Sequence, residues 1–199
     1  SDKRPYTEIF ERTGLIYRLD RFIWELAVQQ LAKWQKEGRD ELYISVNIST
    51  KDFQYMDVYQ TITSLVERDG IIPSTLKLEI TETAIMMGNA GELETIGRFR
   101  NYGFEVEIDD FGSGYSSLNT LKDIDVDVLK IDMGFLRTTR SERLERSMSI
   151  LNMIISLSKV LGLSVVTEGV ETKEQVSRLS QMGCGVYQGY YFSKPIPVH

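Results

Sequence analysis

Strand-like and helix-like patterns alternate without a break along the 199 residues, and the strand-like runs end in polar side chains. Leu42–Ile48, Leu76–Thr81, Phe104–Asp109, Val126–Asp132 and Ser164–Glu168 read as strands, with a shorter one from Val186 to Tyr191. Between them, apolar residues recur at helical spacing. In the first helix, about Arg18 to Gly38, the stripe runs through Leu19, Phe22, Ile23, Leu26, Leu31 and Trp34. Further helices are expected over about 52–69, 89–102, 141–161 and 173–182, with a short helical stretch after Gly114. Strands joined by helices are crossover units, and crossover units build a parallel sheet. No low-complexity run or charge block marks a linker, so residues 1–199 read as a single domain.

Alternation alone fits either an open doubly wound sheet or a closed barrel. The polar residues separate them. Asn47, Glu79, Asp109, Lys130, Glu168 and Gln188 each fall at or near the C-terminal end of a different strand. Barrel enzymes place their chemistry on that rim, drawn from many strands. A doubly wound sheet concentrates its site at one switch point, often with a glycine-rich phosphate loop, and no such loop is evident. The expected fold is therefore α/β, a TIM-type (β/α) barrel. A whole barrel needs eight strands and typically ~250 residues. With about six strands, this one is expected to be incomplete, with the first two strands missing on the N-terminal side.

Composition narrows the chemistry. A formal net charge of −6 argues against a DNA- or RNA-backbone binder, which would show a basic face. It leaves a phosphate substrate open, because acidic side chains around divalent cations create a locally positive site. The only histidine is His199, the last residue, so histidine acid–base chemistry and a His-rich zinc site are disfavoured. One cysteine, Cys184, forbids an internal disulfide and reads as a small buried hydrophobe. A cytoplasmic location is expected, with any membrane anchor lying in regions before Ser1.

Glu79, Asp109 and Glu168 offer hard oxygen ligands and Asn47 adds a neutral carbonyl, a set suited to Mg²⁺ or Mn²⁺. Two such ions about 3.5–4 Å apart can stabilise both the attacking and the leaving oxygen of a phosphodiester displacement. Strict strand alternation puts Asp109 on one face with Glu107 and Glu105, and turns Asp110 the other way. Asp110 reaches the rim only if the strand ends there; otherwise it caps the following short helix. Lys130 either holds a nucleophilic water or phosphate oxygen, or neutralises Glu107. Glu107, turned inward, needs a partner, and Lys77 or Lys130 is expected within its reach.

Together these blocks are familiar. Asp109-Asp110-Phe111-Gly112-Ser113-Gly114-Tyr115-Ser116-Ser117-Leu118 resembles the loop-6 signature of EAL domains, bacterial cyclic di-GMP phosphodiesterases. Thr13–Ile16, Val46–Ser49, Glu79–Glu82, Leu129–Asp132, Glu168–Glu171 and Gln188–Pro195 resemble further blocks of that family in order. The resemblance implies divalent-metal-dependent hydrolysis of cyclic di-GMP to linear pGpG. It implies that Asn47, Glu79, Asp109 and Asp110 ligate metal, and that Glu168 joins them directly or through water. It further implies that Lys130 contacts the catalytic water, that Gln188 lies near the site, and that Glu82 steadies loop 6. A homodimer paired near the 141–161 helix, and upstream sensor or diguanylate-cyclase domains in a parent protein, are implied too.

The Glu-Ala-Leu tripeptide that names the family does not occur in the sequence. The glutamate it contributes is a metal ligand in the family. This polypeptide by itself is therefore expected to hydrolyse cyclic di-GMP poorly or not at all. Two other readings stand beside the phosphodiesterase: a non-catalytic cyclic di-GMP receptor or protein-interaction module, and an enolase-like lyase with a lysine base. The contiguous loop-6 match disfavours the lyase.

Overall fold

A computed structural model of the chain describes residues 15–112, 124–132, 134 and 141–196. Helix α1 spans Ile16–Lys36 and leads to strand β1, Ile44–Ile48. Two short helices follow, α2 over Thr50–Tyr55 and α3 over Val58–Asp69. Strand β2, Leu76–Thr81, runs into α4, Glu82–Met87, and then α5, Ala90–Tyr102. Strand β3 covers Glu105–Phe111 and β4 covers Val128–Asp132. Helix α6, Ser141–Val160, precedes β5, Ser164–Glu168; α7, Lys173–Gln181, precedes β6, Val186–Tyr187. The strands lie in the sheet in chain order, β1 to β6. β1 pairs with β2, β4 with β5 and β5 with β6, all parallel, as crossover connections require.

The described residues form two compact units whose boundary falls within β3. The first holds everything up to Glu107 together with Ile124–Val126. Its core is built by Trp24, Val28 and Leu31 of α1, Ile62 and Val66 of α3, Phe99 of α5, and the helix-facing residues of two strands. β2 alternates cleanly: Leu76, Leu78 and Ile80 are buried, while Lys77, Glu79 and Thr81 line the opposite face. The second unit starts at Ile108 and resumes at Asp127. Leu129, Ile131, Leu151, Ile155, Val170 and Leu179 form its apolar centre, and Cys184 is buried among them as a free thiol.

Several boundaries differ from the sequence expectation, each for a local reason. The helix expected over 52–69 is two helices, because Met56 is extended and Asp57 starts a new helix by accepting from Gln60 N at 2.9 Å. Thr81 caps a helix, α4, that sequence periodicity did not reveal; its side chain accepts from Ala84 N at 3.2 Å. The last strand stops at Tyr187 instead of Tyr191. There the backbone passes so close to Val170 that a Cβ at Gly189 would collide with the Val170 carbonyl and amide. The short helix expected after Gly114, and most of loop 6, lie outside the described residues.

Candidate functional site

In the first unit, Asn47 and Glu79 are direct register partners on adjacent parallel strands, one residue and two residues from their strands' ends. Val46 and Ile48 face the helices, which leaves Asn47 exposed on the other face. The chain around Asn47 is fixed from two sides. The indole Nε1–H of fully buried Trp24 donates to the Asn47 carbonyl at 3.0 Å. Two residues on, Ser49 and Asp52 form a capping box: Asp52 Oδ2 accepts from Ser49 N and from Ser49 Oγ, both at 2.7 Å. Glu82 opens α4 as a buried carboxylate in its first turn, where the helix dipole favours negative charge.

On the same face of the first unit lies a charged cluster. Lys77 Nζ is 2.8 Å from Glu105 Oε1 and 3.3 Å from Glu107 Oε1, and stands over the Tyr43 ring at 3.9 Å. This is the partner that the inward register of Glu107 demanded. Burial opposes the Lys77 charge, but the Glu105 hydrogen bond and the Glu107 charge outweigh it and hold the ammonium above its ordinary pKa.

In the second unit, Lys130 is buried and its Nζ is 2.7 Å from Glu168 Oε1. The same ammonium is 3.6 Å from Asp109 Oδ1, a charge contact too long for a hydrogen bond. Asp109 Oδ1 is buried and has no hydrogen-bond partner. Asp110 adopts φ 55°, the sole non-glycine residue with positive φ among the described residues. Strict alternation fails here because the backbone turns at Asp110 while pairing continues to Phe111, not because the strand has ended. Burial first, then the charges of Asp109 and Asp132, push the Asp110 carboxyl above its ordinary pKa.

Asp132 is a site residue to which the sequence reading gave no role. It is in register with Glu168, and its Oδ1 accepts from Gly134 N at 2.6 Å. Its signal was the two-residue spacing from Lys130, which places both on one strand face. Gln188 lies just past β6. Its amide donates to Thr167 O at 2.8 Å and its carbonyl accepts from Val170 N at 3.1 Å, so its backbone is tied to the end of β5 while its side chain is exposed.

Asp109, Asp110, Lys130, Asp132 and Glu168 are thus gathered within the second unit, and Asn47 is brought beside Glu79 within the first. Among the described residues, no three His, Cys, Asp or Glu side chains are already arranged to hold a metal ion. The donor chemistry nonetheless fits a hard divalent cation: an unpartnered buried carboxylate oxygen sits beside carboxylates whose charges oppose one another.

Parallel strands whose C-terminal ends carry carboxylates, an amide and a buried lysine define an α/β protein with its polar residues at the strand ends. The chain belongs to the EAL domain family, whose model matches residues 4–195. It is 32% identical over 192 residues to the bifunctional diguanylate cyclase/cyclic di-GMP phosphodiesterase MucR of Pseudomonas aeruginosa, covering 96% of this chain and 28% of that protein. To the cyclic di-GMP phosphodiesterase RocR of the same organism it is 33% identical over 181 residues, covering 90% and 46%. The chain therefore spans between about a quarter and a half of these relatives' lengths. Among solved structures, the PaMucR phosphodiesterase in complex with c-di-GMP aligns with a TM-score of 0.89 at 32% identity, over 96% of this chain and 77% of that one. A Xanthomonas citri FimX EAL domain aligns at 0.86 with 22% identity, over 97% and 75%, a likeness of fold alone. EAL domains have a TIM-like barrel fold, as the strand-end polar residues led one to expect. Among the described residues, no helix is long and apolar enough to cross a membrane.

Proposed function

We propose that this chain is the metal-binding and catalytic part of one EAL domain that hydrolyses cyclic di-GMP to linear pGpG. The family model spans both compact units, which supports reading them as a single domain. The observation that carries the proposal is the buried Oδ1 of Asp109, which accepts no hydrogen bond and meets the ammonium of the Lys130–Glu168 pair only at 3.6 Å. A buried carboxylate oxygen without a donor costs free energy unless something positive meets it.

In the first unit Asn47 and Glu79, and in the second Asp109 and Asp110, are the residues that would ligate Mg²⁺ or Mn²⁺, with Glu168 and Asp132 as further carboxylates of the second unit. When bound, such ions polarise phosphodiester oxygens and lower the pKa of water at the site. The chain's own residues do the positioning. Glu168 accepts from Lys130 and fixes its ammonium, and this buried donor then orients a water or a phosphate oxygen. Gln188, tethered by its backbone to the end of β5, presents an amide at the same strand end. Glu82, at the start of α4, owes its role toward loop 6 to the family resemblance, and most of that loop lies outside the described residues.

The Glu-Ala-Leu glutamate is absent from these 199 residues, so the isolated polypeptide turns over cyclic di-GMP weakly or not at all. A parent domain with a Glu-Ala-Leu strand would supply the remaining ligand, and pairing of two copies near the 141–161 helix and upstream sensor or diguanylate-cyclase domains are part of the same reading. Separation of pGpG from cyclic di-GMP by anion exchange, run on the chain and on a longer parent with Mn²⁺, tests the proposal. Turnover by the parent that is abolished by Asp109→Ala supports it. Binding of cyclic di-GMP with no turnover by the parent would make the protein a receptor instead. Near-normal turnover by the isolated chain would refute the weak-activity expectation.

A further inference from the structure

Trp24 has no part in the chemistry just described, yet its one polar atom is spent on a site residue. It lies on α1, fully buried, with its indole Nε1–H 3.0 Å from the backbone carbonyl of Asn47. Tryptophan brings only a donor, so a buried indole needs one acceptor, and here that acceptor is the peptide unit joining Asn47 to Ile48. Rotation of that peptide about the line joining its two Cα atoms tilts the Asn47 Cα–Cβ bond.

The other constraints on the segment come from different directions. Register pairing with Glu79 holds Asn47 sideways in the sheet. Ile48, almost wholly buried, holds the next residue against the helices, and the Ser49–Asp52 capping box holds the backbone after it. The ladder to β2 holds the Asn47–Ile48 peptide from the sheet side, and the Trp24 N–H holds its carbonyl from the helix side. An amide that ligates through a single neutral carbonyl tolerates little misplacement, since it lacks the charge that lets a carboxylate reach from a distance.

We infer that Trp24 is a positioning residue for Asn47: its indole N–H orients the peptide that aims the Asn47 side chain at a divalent cation. The inference rests on the reading of Asn47 as a metal ligand. Side chains that orient a metal ligand typically change metal affinity tenfold or more when removed.

The test is Mn²⁺ binding to the 199-residue chain by calorimetry, with melting followed in parallel. Trp24→Phe removes the N–H and leaves a small void. Replacement of Trp24 by β-(3-benzothienyl)alanine removes only the N–H and keeps the ring outline, so it covers the case in which the phenylalanine variant folds poorly. Phe99→Leu, in the core of the same unit and outside the site, serves as a control for general loosening. The expected result is a rise of about tenfold in the Mn²⁺ dissociation constant for both Trp24 replacements. Phe99→Leu, with a comparable loss of melting temperature, stays within about twofold of the unmodified chain. Trp24 replacements that leave affinity unchanged while Asn47→Ala weakens it overturn the positioning role alone, as does an equal loss in Phe99→Leu. Where the chain alone binds no Mn²⁺ the same variants are measured in the longer parent; no effect of Asn47→Ala, or no Mn²⁺ binding by chain and parent alike, overturns the ligand reading and the inference with it.

Discussion

Lys77→Met isolates one charge from a cluster whose geometry is well defined. The ammonium bridges Glu105 at 2.8 Å and Glu107 at 3.3 Å; Lys77 and Glu107 are largely buried, whereas the Glu105 side chain is 34% exposed. Removing one member of a buried ion pair costs about 3–5 kcal/mol, because the charge left behind stays desolvated. The Glu105 contact is screened by solvent and adds little. The net cost of Lys77→Met is therefore set by Glu107, at about 2–3 kcal/mol once relaxation is allowed for. In a chain of this length each kcal/mol moves the melting temperature by about 2–4 °C, so a fall of about 5–10 °C is expected.

The decisive assay is a double-mutant cycle read by urea unfolding. Glu107→Gln in the Lys77→Met background removes the stranded charge while keeping the shape. The double variant should regain about 1–2 kcal/mol relative to strict additivity, within the range seen for contacting charged residues. A Lys77→Met variant within about 0.5 kcal/mol of the unmodified chain, or a cycle that closes additively, would refute the argument. Either result would mean that Glu107 draws its compensation from elsewhere.

Three further outcomes follow from the same structure. Asp52 is fully buried, and its pKa is raised above 3.8, chiefly by burial, against the opposing hydrogen bonds from Ser49 and a contact with Asp20. A raised folded-state pKa means the native state holds its proton longer than the unfolded chain, so stability falls as pH rises from about 3.8 through the folded value. Asp52→Asn keeps an acceptor for Ser49, and its stability relative to the unmodified chain should improve between pH 3.5 and pH 7; a difference that is flat or of opposite sign in urea titrations would contradict this. Lys130→Met leaves Glu168 and Asp109 without their shared ammonium, so added Mn²⁺ should raise its melting temperature more than that of the unmodified chain in a thermal-shift assay. Gly189→Ala drives a methyl group into the Val170 backbone and should cost about 1–3 kcal/mol, with faster hydrogen exchange at the amides of Val170 and Tyr191.

How much of this was legible beforehand depended on whether the governing physics is periodic. β2 and β5 were read with their final boundaries, Leu76–Thr81 and Ser164–Glu168, because alternation and strand-forming residues agree there. A lysine beside Glu107, either Lys77 or Lys130, was expected from strand register, since a buried carboxylate must be met by a cation, and Lys77 lies 3.3 Å from it. What escaped were features set by a single residue's hydrogen bond or dihedral angle. The break between α2 and α3 depends on Asp57 choosing to cap, and α4 on Thr81 doing the same. The Trp24–Asn47 contact joins residues 23 positions apart through one atom, and no sequence pattern carries that information. Asp132 was within reach of the alternation argument, two residues past Lys130, but was read as part of a motif and not as a side chain on a face.

The β3 strand shows why the polar rim is more than decoration. Glu105, Glu107 and Asp109 recur at two-residue spacing, which alternation assigns to one face. An interior built for stability alone would use branched apolar residues at such positions, as barrel cores normally do. Charges there cost desolvation, and they persist only where each is compensated. Compensation is uneven along the strand: Glu105 accepts a 2.8 Å hydrogen bond from Lys77, Glu107 sits 3.3 Å from the same ammonium, and Asp109 meets Lys130 only at 3.6 Å with one oxygen unpartnered. The better-satisfied carboxylates lie toward the N-terminal end of the strand, and the under-satisfied one lies near its C-terminal end. The gradient supports a positive species at that end, and a strand whose three carboxylates were all equally satisfied would have given no such direction.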